Sequence, residues 1–75
     1  MTEQEVKDKV RAVLRLMRPE WRWAAMDERG SWWAHVQKPD YRNSAWMSKR
    51  FFSLSHFDLP LFPGDWRDSL VEREE

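Results

Sequence analysis

Ser55, His56 and Asp58 stand together in "SHFD", the residue types of a nucleophile, a base and an orienting carboxylate. A catalytic triad is a geometric arrangement drawn from separate elements, and neighbouring side chains seldom converge on one reacting atom. No nucleophile-elbow motif accompanies them. The stretch reads as a loop whose serine and histidine cap backbone groups, and the chain is expected not to be an enzyme. His35 and His56 are the only two histidines and there is no cysteine. That excludes a thiolate metal site and a disulfide staple, and leaves at most a mixed histidine–carboxylate site. No cofactor is expected.

The residues that stand out are aromatic. Six Trp, four Phe and one Tyr occur in 75 residues, a length suited to one domain spanning residues 1–75. A domain this small has little core to draw on, and each buried aromatic removes roughly 150–250 Å² from water. Thirteen Lys and Arg balance thirteen Asp and Glu. A polyanion binder usually shows a basic excess, so the balance argues against general nucleic-acid binding and leaves room for a local patch. No apolar run approaches the roughly 18 residues of a membrane span, and the charged start "MTEQEVKDKV" is unlike a secretory signal. The expected location is the cytoplasm.

The elements that must position these residues follow from spacing. "TEQEVKDKVRAVLRLMR" predicts a helix over about 3–18. Thr2 and Glu5 have capping-box spacing, and Val6, Val10, Val13, Leu14 and Met17 share one face. Pro19 ends the helix. Lys7, Arg11, Arg15 and Arg18 form a second stripe, read as a solvated face or as a contact for an acidic partner.

"WRWAAMDERGSWWAHVQK" predicts a β-hairpin over about 21–37, with Gly30 as the left-handed residue of its turn. A loop at Glu28–Gly30 places Met26 opposite Trp32, Ala25 opposite Trp33, Ala24 opposite Ala34 and Trp23 opposite His35. Alternation then sorts the side chains. Met26, Trp32, Ala24, Ala34 and Val36 face the helix. Trp21, Trp23, Ala25, Trp33 and His35 form a second apolar face. A third strand is expected over about 45–53 and a short terminal helix, capped by Asp65, over about 66–73, with fraying after Arg73. The fold class expected is α+β: an N-terminal helix on a small three-stranded antiparallel sheet, with a short C-terminal helix.

The second face needs cover, either from "FDLPLF" (Phe57–Phe62) or from a partner. Trp and Arg are enriched at energetic hot spots of interfaces. Trp21, Trp23, Trp33 and His35, with Arg22 and Arg42 as rim charges, are therefore the candidate partner-binding residues. Tyr41, Trp46, Lys49 and Arg50 interleave aromatic and basic groups and form an alternative platform for single-stranded nucleic acid.

Two stretches carry a resemblance. "WRWAAMDERGSWWAHVQKP" holds Trp21, Trp23, Asp27, Gly30, Trp33, Lys38 and Pro39. "GDWRDSLVERE" holds Asp65, Trp66, Asp68, Ser69, Leu70, Glu72 and Arg73. Together they are similar to small uncharacterised accessory proteins of tailed phages and prophages. The resemblance covers about half the chain and omits the N-terminal helix. It implies a non-enzymatic protein of the bacterial host cell. Such a protein would bind a host or phage protein, for instance to block or redirect a defence factor. A structural phage component is a further alternative. The second motif also has a purely structural reading, in which an Asp cap, a buried Trp and a Leu one turn later lock the terminus.

Overall fold

The computed structural model describes residues 1–74. Helix α1 (Glu3–Leu16) opens with the expected capping box: Thr2 Oγ1 accepts from Glu5 N–H while the Glu5 carboxylate accepts from Thr2 N–H. The helix ends two residues before the predicted limit. Met17 is extended and its N–H bonds Leu14 O, a tight last turn ahead of Pro19.

Strands β1 (Trp23–Met26) and β2 (Trp32–His35) form the expected hairpin with the expected register, Trp23 with His35 through Met26 with Trp32. Gly30 has φ +92°, and the Asp27 carboxylate accepts from the N–H groups of Arg29 and Ser31, which fixes the turn. Val6, Val10 and Leu14 of α1 pack on Ala24, Met26, Trp32 and Ala34, the face with small residues at its centre.

The sheet is larger than three strands. With β5 (Phe51–Ser53) and β6 (Val71–Glu72) added, its order is β5-β2-β1-β6, all antiparallel, and a separate two-stranded ribbon pairs β3 (Asp40–Arg42) with β4 (Ala45–Met47). The single third strand expected over 45–53 is two strands. β4 turns back on β3 through Asn43 and Ser44, with Asn43 at φ 54°, and only β5 (Phe51–Ser53) joins the main sheet. Asparagine tolerates that left-handed backbone better than most residues, which lets two positions close a hairpin.

The terminal helix is also corrected. Asp65 caps one short 3₁₀ turn, Trp66–Asp68, and the chain then extends as β6 (Val71–Glu72) along β1. Helix propensity loses here because Val71 is buried in the core cluster opposite Ala24. Of the tail expected to fray beyond Arg73, Glu75 lies outside the described residues, and Arg73 itself is tied down. Its N–H bonds Arg22 O, and its Nη1 donates to the carbonyls of Leu14, Met17 and Arg18 at the end of α1.

Phe57–Phe62 does not cover the second face. Phe57, Leu59 and Phe62 pack with the helix-side core, and Pro60 O accepts from Trp32 Nε1. Among the described residues no helix is long and apolar enough to cross a membrane.

Candidate functional site

The β3–β4 ribbon covers the second face of the sheet. It is tied down by Glu28 N–H to Ser44 O at 3.0 Å and by Trp46 Nε1 to Met26 O at 3.0 Å. Ribbon and sheet do not close fully on each other. Between them lies a cleft of about 190 Å³ walled by Asp27, Trp33, His35, Ala45, Trp46, Met47 and Phe51. Trp33 is half-buried in this wall. Its Nε1 donates to Asp27 Oδ2 at 3.3 Å and its ring meets Phe51 edge-on at 5.7 Å. Phe51 is 56% exposed and Met47 54% exposed at the mouth.

His35 is 1% exposed. Its Nδ1 lies 2.7 Å from Ser48 Oγ, while its Nε2 has no hydrogen-bond partner among the described residues. Burial pushes its pKa down from 6.5 to about 4, so the ring is neutral at physiological pH. Both Asp27 oxygens are engaged within the turn and by Trp33. The cleft thus offers apolar, aromatic walls on which the Asp27 carboxylate, the Trp33 indole N–H and His35 Nδ1 are already engaged, which suits an inserted side chain.

Met47 separates this cleft from a second groove, lined by Gln37, Lys38, Asp40, Arg42, Met47, Ser48 and Lys49. Among the described residues no carboxylate lies within ion-pair distance of Lys38, Arg42 or Lys49. Lys38 Nζ sits 5.7 Å from the centre of the Trp23 ring. Three cations against Asp40 make this groove positive on a chain of zero net charge.

The partner-binding candidates are therefore divided. Trp33 and His35 wall the cleft, and Arg42 lines the basic groove beside it. Trp21 lies elsewhere. Its N–H closes a turn on Arg18 O, so the pleat begins only at Trp23, and its ring packs towards the core beside Phe52 at 6.0 Å with the Arg50 guanidinium 5.5 Å above it. Arg22 pairs with Glu72 at 3.9 Å, on β6.

The alternative set is divided too. Tyr41, Trp46 and Trp66 meet edge-to-face at 5.2–6.2 Å, and Trp46 is anchored by its indole N–H, so only Tyr41 of this group is an exposed ring. Arg50 is paired with Glu20 at 3.2 Å. Lys49 lines the basic groove.

The helix stripe is largely structural. Lys7 Nζ sits 5.7 Å from the Phe62 ring, Arg11 donates to Glu72 O, and Arg15 pairs with Glu74. In "SHFD", Ser55 and His56 belong to a 3₁₀ turn, with the His56 ring against Phe57 at 4.3 Å and Phe52 at 5.8 Å. Among the described residues no group of three His, Asp or Glu could hold a metal ion.

Sequence reasoning missed Ala45, Met47 and Phe51 as neighbours of Trp33, because "AWMSKRFF" reads as one strand. The signal that could have found them is Asn43-Ser44, a two-residue loop between short alternating segments. Compared with known proteins, the chain matches no family model, no curated protein and no solved structure.

Proposed function

We propose that this is a non-enzymatic accessory protein of the phage type its sequence resembles, acting in the bacterial cytoplasm by binding another protein. The observation that carries this reading is the apolar cleft between ribbon and sheet, with Phe51 and Met47 exposed at its mouth and a basic groove directly across Met47. An apolar side chain of the partner enters the cleft against Trp33, and acidic residues beside it meet Lys38, Arg42 and Lys49. A desolvated aromatic pocket with a charged rim is the usual anatomy of an interface hot spot. Blocking or redirecting a host protein, such as a defence factor, is the action the sequence resemblance implies for such a surface.

The test compares the wild-type chain with Met47→Asp and with the triple variant Lys38→Glu, Arg42→Glu, Lys49→Glu as baits in bacterial lysate, followed by direct titration of the purified captured protein. All four positions are exposed, so the fold should persist. Both variants are expected to weaken binding at least about tenfold. A captured protein that binds all three baits equally, or no captured protein across plausible hosts, overturns the reading.

The grouping of Lys38, Arg42 and Lys49 near exposed Tyr41 favours single-stranded nucleic acid as the second reading. It predicts salt-dependent binding of short oligonucleotides, lost in the triple variant and kept in Met47→Asp.

A further inference from the structure

The two edges of the main sheet are treated differently. At one edge, β6 directs Glu72 O away from β1, and Arg11 Nε of the helix donates to it at 3.0 Å. That edge is closed by the chain itself. At the other edge, β5 carries no such cover among the described residues.

The orientation of the free groups follows from the ladder. Leu54 N–H donates to Trp32 O at 2.9 Å and Val36 N–H donates to Arg50 O at 3.4 Å. In an antiparallel ladder the backbone groups of alternate residues point to opposite sides. Arg50, Phe52 and Leu54 therefore face β2, and Phe51 and Ser53 present their N–H and C=O groups outward. Phe51 and Phe52, on opposite faces of the strand, are 56% and 45% exposed.

We propose that the chain forms a two-fold dimer by antiparallel pairing of β5 with β5 of a second copy, on an axis through Phe52. This register places Phe51 opposite Ser53 of the second copy, so the two outward residues of each strand bond each other. Phe52 meets its own counterpart at a non-hydrogen-bonded position, where facing side chains come closest. Edge strands are commonly protected by charge. Here the self-register puts Arg50 opposite Leu54 and Lys49 opposite Ser55, so no like charges oppose one another. Arg50 is moreover held back by Glu20 and the Trp21 ring. The pairing fits a second copy because parity, side-chain contact and charge all match on the same axis. It joins two four-stranded sheets into one and sets two clefts on the same face. The proposal uses backbone and Phe52, not the cleft, so it stands or falls separately from the binding reading above.

Sedimentation velocity on the full chain between roughly 5 and 500 µM tests it. The mass should rise from 9.2 kDa towards twice that value. Phe52→Asp should stay monomeric over the same range with an unchanged circular dichroism spectrum. Since the chain has no cysteine, Phe52→Cys adds a single thiol on the axis, at a separation of about 4.5 Å between Cα atoms that suits a disulfide. It should form a linked dimer at least about tenfold faster than exposed Leu61→Cys. A wild-type chain that stays monomeric throughout, a dimer that survives Phe52→Asp, or equal linking rates for the two cysteines overturns the proposal.

Discussion

His35 and Ser48 are joined by a hydrogen bond between the sheet and the ribbon's exit. His35 Nδ1 lies 2.7 Å from Ser48 Oγ, which in turn lies 2.9 Å from Arg50 O. Nε2 sits in the interior with no hydrogen-bond partner among the described residues. One residue thus ties the sheet to the segment between β4 and β5.

A pH dependence follows from this neutral ring. The folded pKa is about 4 and the ordinary value is 6.5. Above pH 6.5 both folded and unfolded chains hold a neutral His35. Between 6.5 and 4 the unfolded chain binds the proton and the folded chain does not, so stability falls with pH. The full loss is about 3 kcal/mol and levels off below pH 4. Asp65, held down at about 2 by the Arg67 side chain and N–H, stays ionised across this window. Urea unfolding of wild type and His35→Gln at several pH values measures the difference, which should change by that amount between pH 7 and 4 with wild type losing more.

Ser69 predicts a larger local effect than its size suggests. It is fully buried, accepts from Met26 N–H at 2.8 Å, and its hydroxyl lies within bonding distance of Met26 O and Trp66 O. It satisfies the end of β1 where β6 has not yet begun. Ser69→Ala leaves the Met26 N–H unpaired in the interior and should cost about 1–3 kcal/mol. For a domain of this size that is a drop in Tm of roughly 4–20 °C, read by thermal melting.

Arg73 caps α1 from 59 residues away in sequence, through Leu14 O at 2.7 Å and Met17 O and Arg18 O at 3.1 Å. Leu14 O also accepts from Met17 N–H and Arg18 O from Trp21 N–H, so Arg73 brings a charged donor to carbonyls at and just beyond the end of the helix. Arg73→Ala is expected to destabilise by about 1–3 kcal/mol and Arg73→Lys by less, since an ammonium keeps a charged donor at the helix end. Amide exchange should rise most in the last turn of α1.

Gly30 combines a left-handed backbone with a close neighbour. A Cβ there would stand 2.6 Å from Leu61 Cδ2, at φ +92°. Leu61 is exposed and can move, so the backbone dominates the cost, about 1–2 kcal/mol for Gly30→Ala. Repeating the substitution in a Leu61→Ala background should recover little of it, as unfolding curves would register.

The hairpin was legible because three signals agree: turn chemistry at Asp27–Gly30, strict alternation on both sides, and alanines where the helix must approach. Its register follows to the residue. Elsewhere local and tertiary signals part. "SLVERE" has helical composition, yet β1 offers Val71 an unfilled edge and a place in the core. "AWMSKRFF" alternates like one strand, and the break at Ser48 is decided by a contact with buried His35 that no local pattern records. The candidate cleft inherits that blindness, since Ala45, Trp46 and Met47 in its wall come from the ribbon that the break creates. Much of the C-terminal motif proves structural: Asp65 caps, Ser69 clamps β1 and Arg73 closes α1.

The Arg11 contact with Glu72 sets the valence of the molecule. On the proposed β5–β5 pairing, a pair of chains leaves no further uncovered edge of the four-stranded sheet among the described residues, and growth along that sheet stops at two. Arg11→Ala frees the Glu72 carbonyl and gives each sheet a second open side, so the variant should form species larger than a dimer in sedimentation velocity.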